Sequence, residues 1–249
     1  MILAIDCGNS RIKWGWCASP EERSSKALHW IGRGALDLAD IACLPGEWTF
    51  NGVPSSIVVS NVAGKAVQAS LLSALDRFAA KPHWIVANSQ AGGVTNGYAD
   101  PQQLGADRWS ALIGARALHS GDCLVVMAGT ATTVDVLGAD GEFRGGLILP
   151  GVQLMKRALA SHTAGLALCV GEVVELPRNT ANAIETGCLV AQVGAIERMF
   201  LQLRTDPLCV LSGGAALPIA EKLNIPFRVV DNLVLEGLVR LTPRYDVSG

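Results

Sequence analysis

Long basic runs are absent from this chain, whose 20 lysines and arginines are scattered among 22 acidic residues for a formal net charge of −2. A protein that grips a phosphate backbone needs a clustered basic face, so nucleic acid is excluded as a main partner. No apolar stretch approaches the roughly 20 residues that a membrane-spanning helix needs, because Asp, Arg, Gly or Pro cuts the longer runs. The start, MILAIDCGNS, has no basic segment, long apolar core or small-residue cleavage site, and so reads as a soluble, cytoplasmic protein rather than a secreted one. The seven cysteines (Cys7, Cys17, Cys43, Cys123, Cys169, Cys188 and Cys209) are odd in number and form no C-x-x-C pair; they are expected to be buried thiols of a reducing compartment. His29, His83, His119 and His162 lack ligand spacing, which argues against zinc. There is no G-x-x-x-x-G-K-[ST] either, so this is not a P-loop enzyme.

What is present is hydrophobic substance: half of 249 residues, enough for one large core or two modest ones. Met1 to Asp6 and Ile12 to Trp16 read as a hairpin around Cys7-Gly8-Asn9-Ser10. Residues 20–50 show only weak periodicity. Ile57 to Val59 form a strand core, Val67, Leu71, Leu75 and Phe78 recur at helical spacing, and Trp84 to Ala87 supply another strand. Residues 88–105, dense in Gly, Asn, Ser and Gln, predict a surface loop of the kind that carries function, followed by a helix from about Gly105. Cys123 to Met127 and Thr132 to Leu137 are strands; Gly145 to Gly151 ends a strand and opens a helix; a long helix runs from about Thr180 to Leu203; Leu208 to Leu211 is a strand ending in Ser212-Gly213-Gly214. The opening pattern recurs, with Asp6-Cys7-Gly8-Asn9-Ser10 falling on Met127-Ala128-Gly129-Thr130-Ala131. The expectation is an α/β chain with two related lobes, residues 1–119 and 120–249.

Three Gly-centred turns after strands could serve one nucleotide. Gly8 lets backbone approach an oxyanion, Asn9 and Ser10 offer donors, Lys13 brings charge, and Asp6 suits a hydrated magnesium ion. Gly129 and Thr130 form the second turn, and Gly213 and Gly214 the third, before a helix N-terminus. Each also fits an ordinary turn, where Gly and Asn are favoured. Gly105-Ala106-Asp107-Arg108 places a carboxylate beside a fixed cation at a helix start, suited to taking a proton from a hydroxyl while arginine clamps an anion. It equally fits a helix cap with a surface ion pair.

The ordered series D-x-G-N-S-x-x-K (Asp6 to Lys13), Tyr98 with L-G-A-D-R (Leu104 to Arg108), A-G-T-A-T-T-V-D (Ala128 to Asp135), G-G-L-I-L-P-G (Gly145 to Gly151), Asn179-Thr180, S-G-G (Ser212 to Gly214) and L-V-L-E-G-L (Leu233 to Leu238) resembles that of type III pantothenate kinases, over nearly the whole chain. The resemblance implies two actin-like (ribonuclease H-like) lobes with a nucleotide cleft, ATP as donor, pantothenate as acceptor, 4′-phosphopantothenate as product, and a homodimer. It implies that Asp6 to Lys13, Gly129, Thr130, Gly213 and Gly214 bind ATP and magnesium, the metal through Asp6. It further implies that Asp107 accepts the proton, and that Tyr98, Gly105, Ala106, Arg108 and Thr180 line the pantothenate site, Thr180 from a second subunit. Where the family usually has an Asp associated with potassium, this chain has Met127; a thioether suits a hard cation poorly, so an altered potassium requirement is expected. Two other readings are a non-catalytic nucleotide-binding regulator of the same fold and a kinase for a sugar or other small alcohol.

Overall fold

Strands that are buried at nearly every position belong in the middle of a sheet, covered on both faces, and Ile2–Cys7, Ser56–Asn61, Cys123–Ala128 and Leu208–Ser212 are of this kind. The computed structural model describes residues 1–18, 27–48, 52–163 and 170–242. In chain order the elements are β1 (Ile2–Cys7), β2 (Arg11–Cys17), β3 (Trp30–Asp37), α1 (Leu44–Glu47), β4 (Ser56–Asn61), α2 (Lys65–Leu75), β5 (Pro82–Trp84), β6 (Gln90–Ala91), β7 (Val94–Asn96) and α3 (Ala106–Leu118). They continue as β8 (Cys123–Ala128), β9 (Ala131–Leu137), β10 (Glu142–Pro150), α4 (Val152–His162), α5 (Thr180–Phe200), β11 (Leu208–Ser212), α6 (Ala216–Ala220), β12 (Phe227–Val229) and α7 (Leu233–Leu241).

The chain divides into a first unit, Met1–Ser120 joined by the residues from Asn232 on, and a second, Gly121–Asp231. In the first unit the strands run β3-β2-β1-β4-β5, with β1 antiparallel to β2 and parallel to β4. In the second they run β10-β9-β8-β11-β12, with β8 antiparallel to β9 and parallel to β11. Third, second, first, fourth, fifth: each unit repeats the same plan, as the recurring turn predicts. The repeat is one residue out beyond its glycine. Cys7 pairs with Ile12 but Ala128 with Thr132, and the Gly8 N–H donates to Arg11 O while the Gly129 N–H donates to Ala131 O, both at 3.0 Å. Ala131 therefore matches Arg11, not Ser10, and the second turn is shorter.

The expected boundary put everything after residue 120 in the second lobe, and the structure corrects this for the C-terminal helix. α7 packs on α3 and β1 of the first unit. Glycines permit the close crossing: a Cβ on Gly237 would sit 1.7 Å from Ser110 O, and one on Gly114 2.6 Å from Leu233 O.

A clear strand, β3, lies inside the stretch whose periodicity is weak. Its half-buried positions are Trp30, Gly32, Gly34 and Leu36. Gly34 stands against the Trp14 indole and Gly15 against Trp30, so tryptophans from one strand fill the space above glycines of the next, and the apolar alternation is hidden. In the core of the first unit, Trp16, Trp48 and Phe78 cluster with centroids 5.5–6.4 Å apart. Cys7, Cys17, Cys123, Cys188 and Cys209 are buried free thiols as expected, whereas Cys43 is exposed; Cys169 lies outside the described residues.

Candidate active site

Parallel strands deliver ligand sites at their carboxyl ends, and β1 and β4 end side by side on Asp6 and Ser60, which are register partners. Lys13 of β2 pairs with Asp6 from the other side. The Asp6 carboxyl is pushed up to about 7, first by burial and then by the Asp107 carboxylate, while Lys13 acts in the opposite direction. Asp6 Oδ1 and Ser60 Oγ are both buried without reaching a hydrogen-bond partner. An orphaned oxygen of this kind is costly unless something else fills its coordination. Beyond Asp6, Gly8 is held by the turn, and Asn9 and Ser10 are exposed at its tip.

Asp107 and Arg108 open α3, whose preceding residue, Gly105, makes no side-chain cap. Asp107 Oδ1 accepts the Arg108 N–H at 2.8 Å, so the local capping role does exist, alongside the interaction with Asp6. Arg108 is only 5% exposed. Its Nη1 donates to Tyr98 Oη at 3.0 Å, and its Cζ lies 5.7 Å from the Tyr98 ring centroid. The sequence-predicted residues of the first unit thus form two adjoining groups: Asp6, Lys13 and Asp107, then Arg108 and Tyr98 with Gly105 and Ala106 between them.

In the second unit three motifs meet at one turn. Thr130 O accepts the Gly151 N–H at 2.9 Å, and a Cβ on Gly151 would be 2.3 Å from Gly129 O. Gly213, at φ +107°, stands against Ala128, where a Cβ would come within 2.3 Å of the carbonyl oxygen. The Ala215 N–H also donates to Ala128 O at 3.1 Å. Gly129, Thr130, Gly213 and Gly214 are thereby brought together. The helix after S-G-G is only Ala216–Ala220, five residues, so the expected helix-end field is slight and the tight backbone itself is the feature.

Thr180 is the first residue of α5, where the Asn179 side chain accepts the Asn182 N–H at 2.9 Å. It borders an open, largely apolar cavity of ≈ 590 Å³ lined also by Met155, Leu159, Ile184 and Cys188. Met127, half-buried, pairs with Thr133 and Ser212, and Thr133 Oγ1 is buried without a partner. Among the described residues no three His, Cys, Asp or Glu side chains cluster as a metal site. Magnesium, which takes one or two carboxylates and completes its shell with phosphate and water, fits the orphaned Asp6 Oδ1; the Met127 thioether fits a monovalent cation poorly. Sequence reasoning missed Ser60 and Asn96. A serine inside S-I-V-V-S-N reads as strand filling, and an asparagine in a polar loop has no periodic signal.

The sequence pattern of the type III pantothenate kinase family matches residues 2–202. A type III pantothenate kinase of Aromatoleum aromaticum is 53% identical over 240 residues, covering 96% of each chain. Among solved structures, a putative Baf family transcriptional activator from Campylobacter jejuni matches with a TM-score of 0.60 at 19% identity over 94% of each chain. A putative 2-dehydro-3-deoxygalactonokinase from Sinorhizobium meliloti matches with 0.57 at 14% identity over 96% of this chain and 97% of that one. At such identities the structural likeness carries the fold alone, an α/β chain of two units.

Proposed function

The chain belongs to the type III pantothenate kinases, ATP-using transferases that phosphorylate pantothenate in coenzyme A biosynthesis, and on that premise we propose that Asp107 takes the proton from the attacking hydroxyl. The observation that carries this is the coupling of Asp107 to Asp6: a carboxylate in the first turn of α3, tied to a backbone N–H, acts on a carboxyl of β1 whose Oδ1 is buried and reaches no hydrogen-bond partner. Phosphoryl transfer needs mainly positioning and charge neutralisation. Asp6 would hold magnesium, which supplies neutralising charge at the transferred phosphoryl group, with Lys13 adding positive charge. Gly8 and Gly129 would hold their turns tight enough for close approach, and Asn9, Ser10, Thr130, Gly213 and Gly214 would contact ATP. Arg108 would pair with the pantothenate carboxylate, and Tyr98, Gly105, Ala106 and Thr180 would line the acceptor. Asp107→Asn tests the assignment: kcat should fall about 10²–10⁴-fold, the usual contribution of a general base, with pantothenate still bound. Wild-type turnover in that variant would remove Asp107 from the role.

We further propose a cytoplasmic homodimer in which Thr180 serves the partner's acceptor site; the exposed Leu154, Leu176 and Val190 of the second unit support an apolar contact surface. With a thioether at Met127, a poor ligand for a hard cation, potassium should activate weakly or not at all. Comparing initial rates in potassium and sodium salts checks this, and strong saturable activation by potassium contradicts it.

A further inference from the structure

Asn96 ends β7 and is only 8% exposed, inside a loop whose other polar side chains are mostly exposed. Its side chain is engaged on three sides. Nδ2 donates to Asn88 O at 3.2 Å and to Pro101 O at 3.1 Å, while Oδ1 accepts the Tyr98 N–H at 3.1 Å. Its own N–H donates to Ser89 O at 2.9 Å. Two carbonyls on one end and an N–H on the other allow one orientation of the amide.

These bonds join two stretches. One carries Tyr98. The other begins at Pro101, a short 3-10 turn over Pro101–Gln103 capped by Asp100, whose Oδ1 accepts the Gln102 N–H at 3.1 Å. Leu104, buried, follows this turn and donates its N–H to Pro101 O at 3.3 Å, and the chain then enters α3 through Gly105. One amide therefore sets the separation between the Tyr98 hydroxyl and the Arg108 guanidinium, which meet at 3.0 Å.

We propose that Asn96 is a positioning residue for the acceptor: through Tyr98 and Pro101 it fixes the Tyr98–Arg108 pair and so governs affinity for pantothenate rather than the phosphoryl step. This rests on the reading that Tyr98 and Arg108 line the pantothenate site. No side chain of similar size substitutes. Aspartate keeps the acceptor for Tyr98 but turns a carboxylate oxygen toward two carbonyls; alanine removes all three bonds, leaving Pro101 O with the Leu104 N–H alone.

The test is steady-state kinetics of the full chain with ATP and magnesium, on wild type, Asn96→Ala, Asn96→Asp, Tyr98→Phe and the Asn96→Ala/Tyr98→Phe double variant, each with its Tm. Asn96→Ala should raise the pantothenate KM about tenfold or more, with kcat and the ATP KM within about twofold. Asn96→Asp should do at least as much. The double variant should be little worse than the more impaired single one, because both act on one unit. Asn96→Ser, which retains a small polar group, carries the same expectation if the alanine variant does not fold. A lowered Tm with the pantothenate KM unchanged, while Tyr98→Phe raises it, makes Asn96 a staple of the loop and overturns the proposal alone. If Tyr98→Phe also leaves that KM untouched, the acceptor-site reading fails and the proposal with it.

Discussion

Asp6 shows what a single residue can report. Its folded-state value of about 7 lies above the ordinary 3.8, so the folded protein holds a proton that the unfolded chain releases. The resulting stabilisation is fully present below about pH 3.8 and is lost as the pH rises through about 7. Asp6→Asn should therefore flatten the decline in stability of the ligand-free protein between pH 5 and 8, read as the Tm of both proteins across that range; parallel profiles contradict the assignment. At this scale the sequence was most informative where a residue's chemistry has few uses. Asp6, Lys13, Asp107 and Arg108 stand out as charged groups at strand and helix ends, and the structure sets Lys13 and Asp107 near Asp6. Ser60 and Asn96 do not, because their significance comes from what the fold sets beside them: a carboxyl one strand away, and carbonyls 8 positions before and 5 after.

Among the elements, those carrying a period of their own were legible. β1, β8 and β11 are mainly apolar and β4 has an apolar centre at Ile57 to Val59, and α2, α3 and α5 begin within about two residues of where spacing or capping puts them. β3 was not, because two of its four half-buried positions are glycines, Gly32 and Gly34, the latter under the Trp14 indole, and α7 was legible as a motif but not as a member of the first unit. That membership depends on contact across more than a hundred residues. It also yields a prediction: Gly237→Ala must push α7 away from Ser110 of α3, costing about 1–3 kcal/mol as an overpacked core does, seen as a lower urea midpoint. An unchanged midpoint would mean that the helices can separate freely. Because α3 carries Asp107 and Arg108 at its start, some loss of kcat/KM should accompany it.

At the scale of the molecule, two units built on one plan have diverged in chemistry. The first keeps a carboxylate at the end of its first strand; the second has Met127 there and a turn one residue shorter. The repeated plan was readable from a recurring turn, whereas the division of the chain was not, since the last helix returns to the first unit. The central claim is that this chain transfers phosphate from ATP to pantothenate with Asp107 as proton acceptor, and ADP release coupled to a visible readout tests it most directly. Wild type and Asp107→Asn are compared with pantothenate, glucose, glycerol or no acceptor. The account predicts ADP release that depends on pantothenate and falls about 10²–10⁴-fold in the variant. Release with another acceptor, none from folded wild-type protein, or equal turnover in the variant would contradict it.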